Sequence, residues 1–167
     1  MASLRALLCF FSCLVLATGV SLAQSQNASK IAATGDTVLT AKINGADVGV
    51  EFRSAQIKPG DPLHPAWESF ENHTFRTLTD LKISVGGKPV SLQDRAFADL
   101  LDPHGATLRA EKGSFVVRIY GLDASEAYFV DVWSNKREVT RRRDYSSLDD
   151  VLASETRYFY HALKDRF

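Results

Sequence analysis

The chain has 167 residues, with 20 Lys and Arg against 20 Asp and Glu, and 45% of its residues are hydrophobic. That apolar share is ordinary for a globular protein and excludes wholesale disorder. The even charge balance argues against bulk electrostatic capture by nucleic acid or by an anionic membrane.

Residues 1–23 read as a secretory signal peptide. Arg5 supplies the positive start, residues 6–16 form an apolar run broken by Ser12, and Ser21-Leu22-Ala23 is a small-x-small cleavage site. Cleavage after Ala23 leaves 144 residues, the size of one domain, with 19 basic against 20 acidic residues, because Arg5 is the only charge removed. Cys9 and Cys13 both fall in the leader, so the mature chain is expected to have no disulfide, thiol nucleophile or thiolate metal site. No later apolar stretch approaches the roughly 20 residues that span a bilayer. The expected location is periplasmic or secreted. Asn27-Ala28-Ser29 and Asn72-His73-Thr74 match the N-glycosylation pattern.

Residues 24–36 are small and polar, and are expected to form a flexible leader before a single β-rich domain over 37–167. Strands are expected at 37–43 and 48–52, joined at Asn44-Gly45, where both residues tolerate positive φ. Residues 54–76 hold Pro59, Pro62 and Pro65 and the aromatics Trp67, Phe70 and Phe75, and read as a long ordered loop with a helical turn at 66–71. Loops of this length are often functional. Strands at 78–85 and 89–92 flank a Gly86-Gly87 turn.

One short α-helix is expected over 93–101, with Ala96, Phe97, Leu100 and Leu101 on one face, Ser91 or Asp94 as cap, and Pro103 and Gly105 beyond its end. The remainder reads as a meander, with strands at 107–111, 115–120, 127–134, 137–145 and 156–161 and an acidic loop at 148–151. Short strands with turns every 8–12 residues predict a mainly β fold, an antiparallel β-sandwich or jelly-roll-like single domain. Alternation points Phe115, Val117 and Ile119 inward, and Tyr128, Val130 and Val132 likewise. Phe129 and Trp133 then share the opposite face with Asp131, so strand 127–134 reads as covered on both sides. A buried carboxylate there needs Arg118 or another arginine as partner.

Four sets of residues carry candidate chemistry. Arg137, Arg141 and Arg143 share one strand face, with Arg142 on the other, and guanidinium groups bind phosphate and carboxylate in bidentate fashion. The plainer alternative is a solvated edge strand, or arginines paired with Glu138, Asp144, Asp149 or Asp150. Trp67 and Phe70 in the long loop are candidates for stacking on a sugar or packing against a protein. His64 and His73, with Asp61, Glu68 and Glu71, and separately Asp102 and His104 beside Asp99, are candidate metal or acid/base groups. Solvated charges and a helix C-terminus explain the same residues without function.

The chain lacks G-x-S-x-G, H-E-x-x-H, a phosphate-binding Gly loop and a dinucleotide fingerprint. No cofactor is implied. Three readings follow: a non-enzymatic binding module for a protein or carbohydrate partner in the envelope or outside the cell, with no nucleic acid; a hydrolase using the His and carboxylate groups of 54–76 and 99–104; or a structural subunit that assembles through strand edges.

Overall fold

The structure, a computed structural model, describes residues 27–61, 72–146 and 149–159. The expected signal peptide, the 66–71 turn, His64, Trp67 and Phe70 lie outside the described residues.

Ten strands are described: β1 (Asn27–Lys30), β2 (Gly35–Ile43), β3 (Ala46–Ile57), β4 (Phe75–Val85), β5 (Lys88–Pro89), β6 (Pro103–Glu111), β7 (Ser114–Gly121), β8 (Tyr128–Ser134), β9 (Val139–Ser146) and β10 (Leu152–Arg157). They form two antiparallel sheets, one ordered β1-β6-β7-β8-β9-β10 and the other β2-β3-β4-β5. The inward residues of both sheets make one apolar core, with Val50, Phe52 and Ile83 from the smaller sheet and Leu108, Val117, Ile119 and Val132 from the larger. The chain is therefore an antiparallel β-sandwich.

Turn chemistry sets the registers. Asn44 and Gly45 have φ of 50° and 78°, the paired positive values that let a two-residue turn follow the strand twist. Gly86 and Gly87 do the same between β4 and β5, with φ of 58° and 77°.

Residues 90–102 cross from the smaller sheet to the larger, and here the expected α-helix over 93–101 is corrected. The segment makes only a 3-10 turn at Asp94–Ala96. Its ends are held by β-bridges, Ser91 with Glu138 and Thr77 with Leu101. An α-helix rises about 1.5 Å per residue and extended chain about 3.3 Å, so bridges at both ends favour the longer form. A helix this short gains little on its own. Its apolar residues are nevertheless buried as alternation at helical spacing suggested, Ala96, Phe97 and Leu100 among them, while Leu101 is half-buried.

Other boundaries also move. The part of the expected flexible leader from residue 27 onward is ordered: β1 pairs with β6, Ile31 is in the core and its N–H donates to the His104 carbonyl at 3.0 Å. A single Ile in a polar stretch gives no periodic signal, and pairing with a distant strand supplies the order instead. The expected loop over 54–76 is shorter, because Ser54–Ile57 continue β3 and pair with Phe75–Leu78. A register shift after Arg53 breaks the alternation that marks the strand in sequence. The last described strand ends at Arg157, not at 161; the Tyr158 ring turns into the core while Phe159 is exposed.

Gly121, at the end of β7, permits one close approach. A Cβ placed there would lie 2.6 Å from Tyr128 Cε1 and closer still to Cζ and Oη. Tyr128 is fixed by a hydrogen bond from its hydroxyl to the Leu101 carbonyl at 2.8 Å. We predict that Gly121→Ala displaces this ring and costs about 1–3 kcal/mol, read as a melting temperature lowered by several degrees. An unchanged melt would show that the ring has room to move.

Candidate functional site

Among the described residues no second layer covers the outer face of the larger sheet, and Arg and aromatic side chains take that place. Cross-strand register arranges them in rows. One row runs Arg109, Val116, Trp133, Arg141, Arg157 across β6 to β10, and the next runs Thr107, Arg118, Asp131, Arg143, Glu155. A third carries Tyr120, Phe129 and Tyr145.

Asp131 sits at the centre of this face and is 1% exposed. A buried carboxylate is tolerated only when paired and hydrogen-bonded. Arg118 donates to both its oxygens, Nε to Oδ1 at 2.6 Å and Nη2 to Oδ2 at 2.7 Å, and Arg109 Nη2 adds a third bond at 3.1 Å. The Arg118 partner expected from sequence is thus observed. The hydrogen bonds that Arg118 donates to Asp131 hold its pKa above the ordinary arginine value, against the opposing effect of burial.

The guanidinium groups then roof the rings. Arg118 Cζ lies 3.9 Å from the Phe129 centroid, and Arg141, Arg143 and Arg109 lie 4.1, 5.3 and 6.0 Å from the Trp133 centroid. These are cation–π distances. Phe129 and Trp133 are buried as a result, so β8 is covered on both sides, on one of them by arginines. Phe129 also stacks on Tyr145 at 4.6 Å.

The three consecutive arginines have different environments. Arg141 and Arg143 share the outer face as expected, but Arg137 does not join them. It lies exposed in the turn before β9, where its N–H donates to Asn135 Oδ1 at 2.7 Å. The register shift at Trp133/Ser134 leaves Val139 in the core and Arg141 outside, breaking the alternation on which that grouping rested. β9 is also flanked by β8 and β10, so it is not an edge strand.

Arg142 turns inward and is 5% exposed. Its Nη1 donates to Asp99 Oδ1 and to the Arg95 carbonyl, and its Nε and Nη2 donate to Asp144 Oδ1. Burial pulls its pKa down, but hydrogen bonds with Asp99 and Asp144 outweigh it and leave the value raised. Burial likewise pushes the Tyr128 and Tyr158 phenols up. A cleft of about 340 Å³ beside this cluster is lined by Asp99, Glu126, Tyr128, Arg142 and Asp144, among others. Both aspartates are spent on Arg142, which fastens the 90–102 crossover to the sheet. A groove of about 460 Å³ lies on the other sheet, lined by Val38, Gly49, Glu51, Lys82, Leu92 and Phe97 among others.

Of the metal candidates, His73, Asp102 and His104 are described. Asp102 and His104 serve the seam between strands: Asp102 N–H donates to the Arg76 carbonyl at 2.7 Å, and the His104 carbonyl accepts from Ile31. The His73 ring lies 6.2 Å from that of Phe75. Among the described residues, no group of three or more His, Cys, Asp or Glu could hold a metal ion.

Sequence reasoning placed Phe129, Asp131 and Trp133 on one face and expected Arg118 or another arginine beside Asp131, but missed that this face is itself the candidate surface. Arg109 escaped notice. The Lys112-Gly113 turn, which puts Arg109 opposite Val116, was the signal available. No protein-family model, curated protein or solved structure matches this chain.

Two predictions follow from these pairs. Asp131→Asn leaves Arg118 without its counter-charge and Arg109 with Glu111 alone. Both are about a quarter exposed, so we expect the low end of the buried-pair range, about 3 kcal/mol, seen as a lower urea midpoint at unchanged slope. Glu155 has a pKa held below its ordinary 4.5 by hydrogen bonds from Arg157 and then Arg143. Its contribution is complete above about pH 4.5 and is lost as pH falls through the lowered value. Melts taken at successively lower pH should therefore fall less steeply for Glu155→Gln than for the parent chain; parallel curves would remove Glu155 from the acid limb.

Proposed function

We propose that this chain is an exported, non-enzymatic β-sandwich binding module, secreted or periplasmic, whose protein or carbohydrate partner docks on the outer face of β6 to β10. The leader at residues 1–23 supports export. The observation that carries the binding site is the constellation of Arg109, Arg118, Arg141 and Arg143 around Trp133 and Phe129. Arginine is among the residues that most often anchor interfaces, and here four strands, β6 to β9, hold the arginines in register around the buried rings. The hydrolase reading finds no comparable constellation among the described residues.

A second reading, an assembly subunit, has one observation in its favour. Val151, Leu152 and Phe159 are exposed beside β10, which borders the larger sheet. An unpaired strand edge is a template for another chain. Association that depends on protein concentration and is blocked by Thr156→Pro would favour it.

The test of the binding reading uses the chain as exported, immobilised and exposed to material from its native envelope and medium. Arg141→Ala should lose most of what the parent chain retains, while Lys82→Ala, on the other sheet, should retain it all. Equal retention by both variants would overturn the reading.

A further inference from the structure

We propose that Arg141, stacked on Trp133, is a subsite for an oxyanion, a carboxylate or sulfate group, carried by an acidic polysaccharide. The inference rests on the outer face of the larger sheet being the binding surface.

The first observation is a charge left over. On this face Arg118 is paired with Asp131, Arg109 with Asp131 and Glu111, and Arg143 and Arg157 with Glu155. Arg141 has no carboxylate partner among the described residues, and its Nε is buried without a hydrogen-bond acceptor. A buried charged donor is ordinarily satisfied. Arg141 as a whole is only half-buried, so its unpaired charge is open to an anion arriving from solvent.

Geometry favours a planar or compact anion. The Arg141 guanidinium carbon lies 4.1 Å from the Trp133 centroid, which fixes a group that otherwise samples many rotamers. A fixed guanidinium presents a fork matched to two oxygens of one acid group. Arg143 and Arg109 flank the same ring and add to the positive field.

The character of the surface selects the polymer. Trp133 and Phe129 are 9% and 5% exposed, so this face offers little apolar area for a protein anchor. The indole face is occupied by guanidinium, which leaves no free platform for a neutral sugar ring. What remains is a polar, cationic track. In the same row and next to Arg141 stands Arg157, whose side chain is 67% exposed, and the row reaches the sheet border there. A hydrophilic chain with repeated acid groups fits such a track.

The experiment measures binding of the exported chain to polygalacturonate, dextran sulfate, polyglutamate and neutral dextran, by calorimetry at several salt concentrations. Expected is binding to one or both acidic glycans, a steep loss with salt, no binding to dextran, and at least tenfold weakening by Arg141→Gln. The polygalacturonate and dextran sulfate arms separate the two sources, and Arg141→Lys, which keeps the charge but loses the fork, should weaken whichever of them binds. If Arg141→Gln does not fold, Arg157→Gln replaces it, with about threefold weakening expected. Binding to neutral dextran, preference for polyglutamate, or affinity untouched by the substitutions would overturn the proposal. Failure of every glycan while retention of native material still depends on Arg141 would sink this inference and leave the binding surface standing. Retention that ignores Arg141 would sink both.

Discussion

Asp131 occupies the central strands of the larger sheet with almost no access to water, and the surroundings are arranged to keep its charge there. Removing an ion from water costs several kcal/mol, which only close counter-charges and hydrogen bonds offset. Arg118 and Arg109 therefore have to lean inward from β7 and β6. Once there, their guanidinium groups lie beside Phe129 and Trp133, and the stems of these long side chains cover what the rings leave bare. One buried carboxylate thus organises an outer layer of side chains under which a sheet face buries aromatic rings.

The other sheet face is conventional, and the contrast explains how three neighbouring arginines came to differ. Arg141 and Arg143 belong to the roofed outer face, where charge remains near solvent. Arg142 points into the seam beneath the crossover, where Asp99 and Asp144 bracket it. There it ties an irregular segment to regular strands, a task that backbone bonding alone performs poorly when the segment has only a 3-10 turn. The same run of charge serves as fastening on one side of the strand and as candidate recognition surface on the other.

That division also bears on where recognition belongs. Loops on rigid scaffolds usually carry binding, and the long connection between β3 and β4 drew attention on that ground. The sheet face is a stronger candidate because its side chains are mutually fixed: each arginine has a ring, a carboxylate or both as support. Less rotamer freedom is then lost when a ligand arrives. The exception within this network is Arg141, which has a ring and, among the described residues, no acid.

The sequence by itself determined the fold class, since period-two alternation and Asn-Gly and Gly-Gly turns act over a few residues and need no partner to be read. It also determined that Asp131 would share a face with Phe129 and Trp133 and would need an arginine partner, Arg118 or another, because side chains alternate along a strand and a buried carboxylate needs a counter-charge. Tertiary structure decided whatever depends on distant pairing or broken period. It drew residues 27–30 into the sheet against β6, extended β3 past a register shift, and held residues 93–101 open between two bridges where local spacing favoured a helix. It separated Arg137 from Arg141 by one further register shift. Above all it assembled the Arg and aromatic face from β6 to β10, because residues far apart in the chain become neighbours only when strand order sets them about 4.8 Å apart.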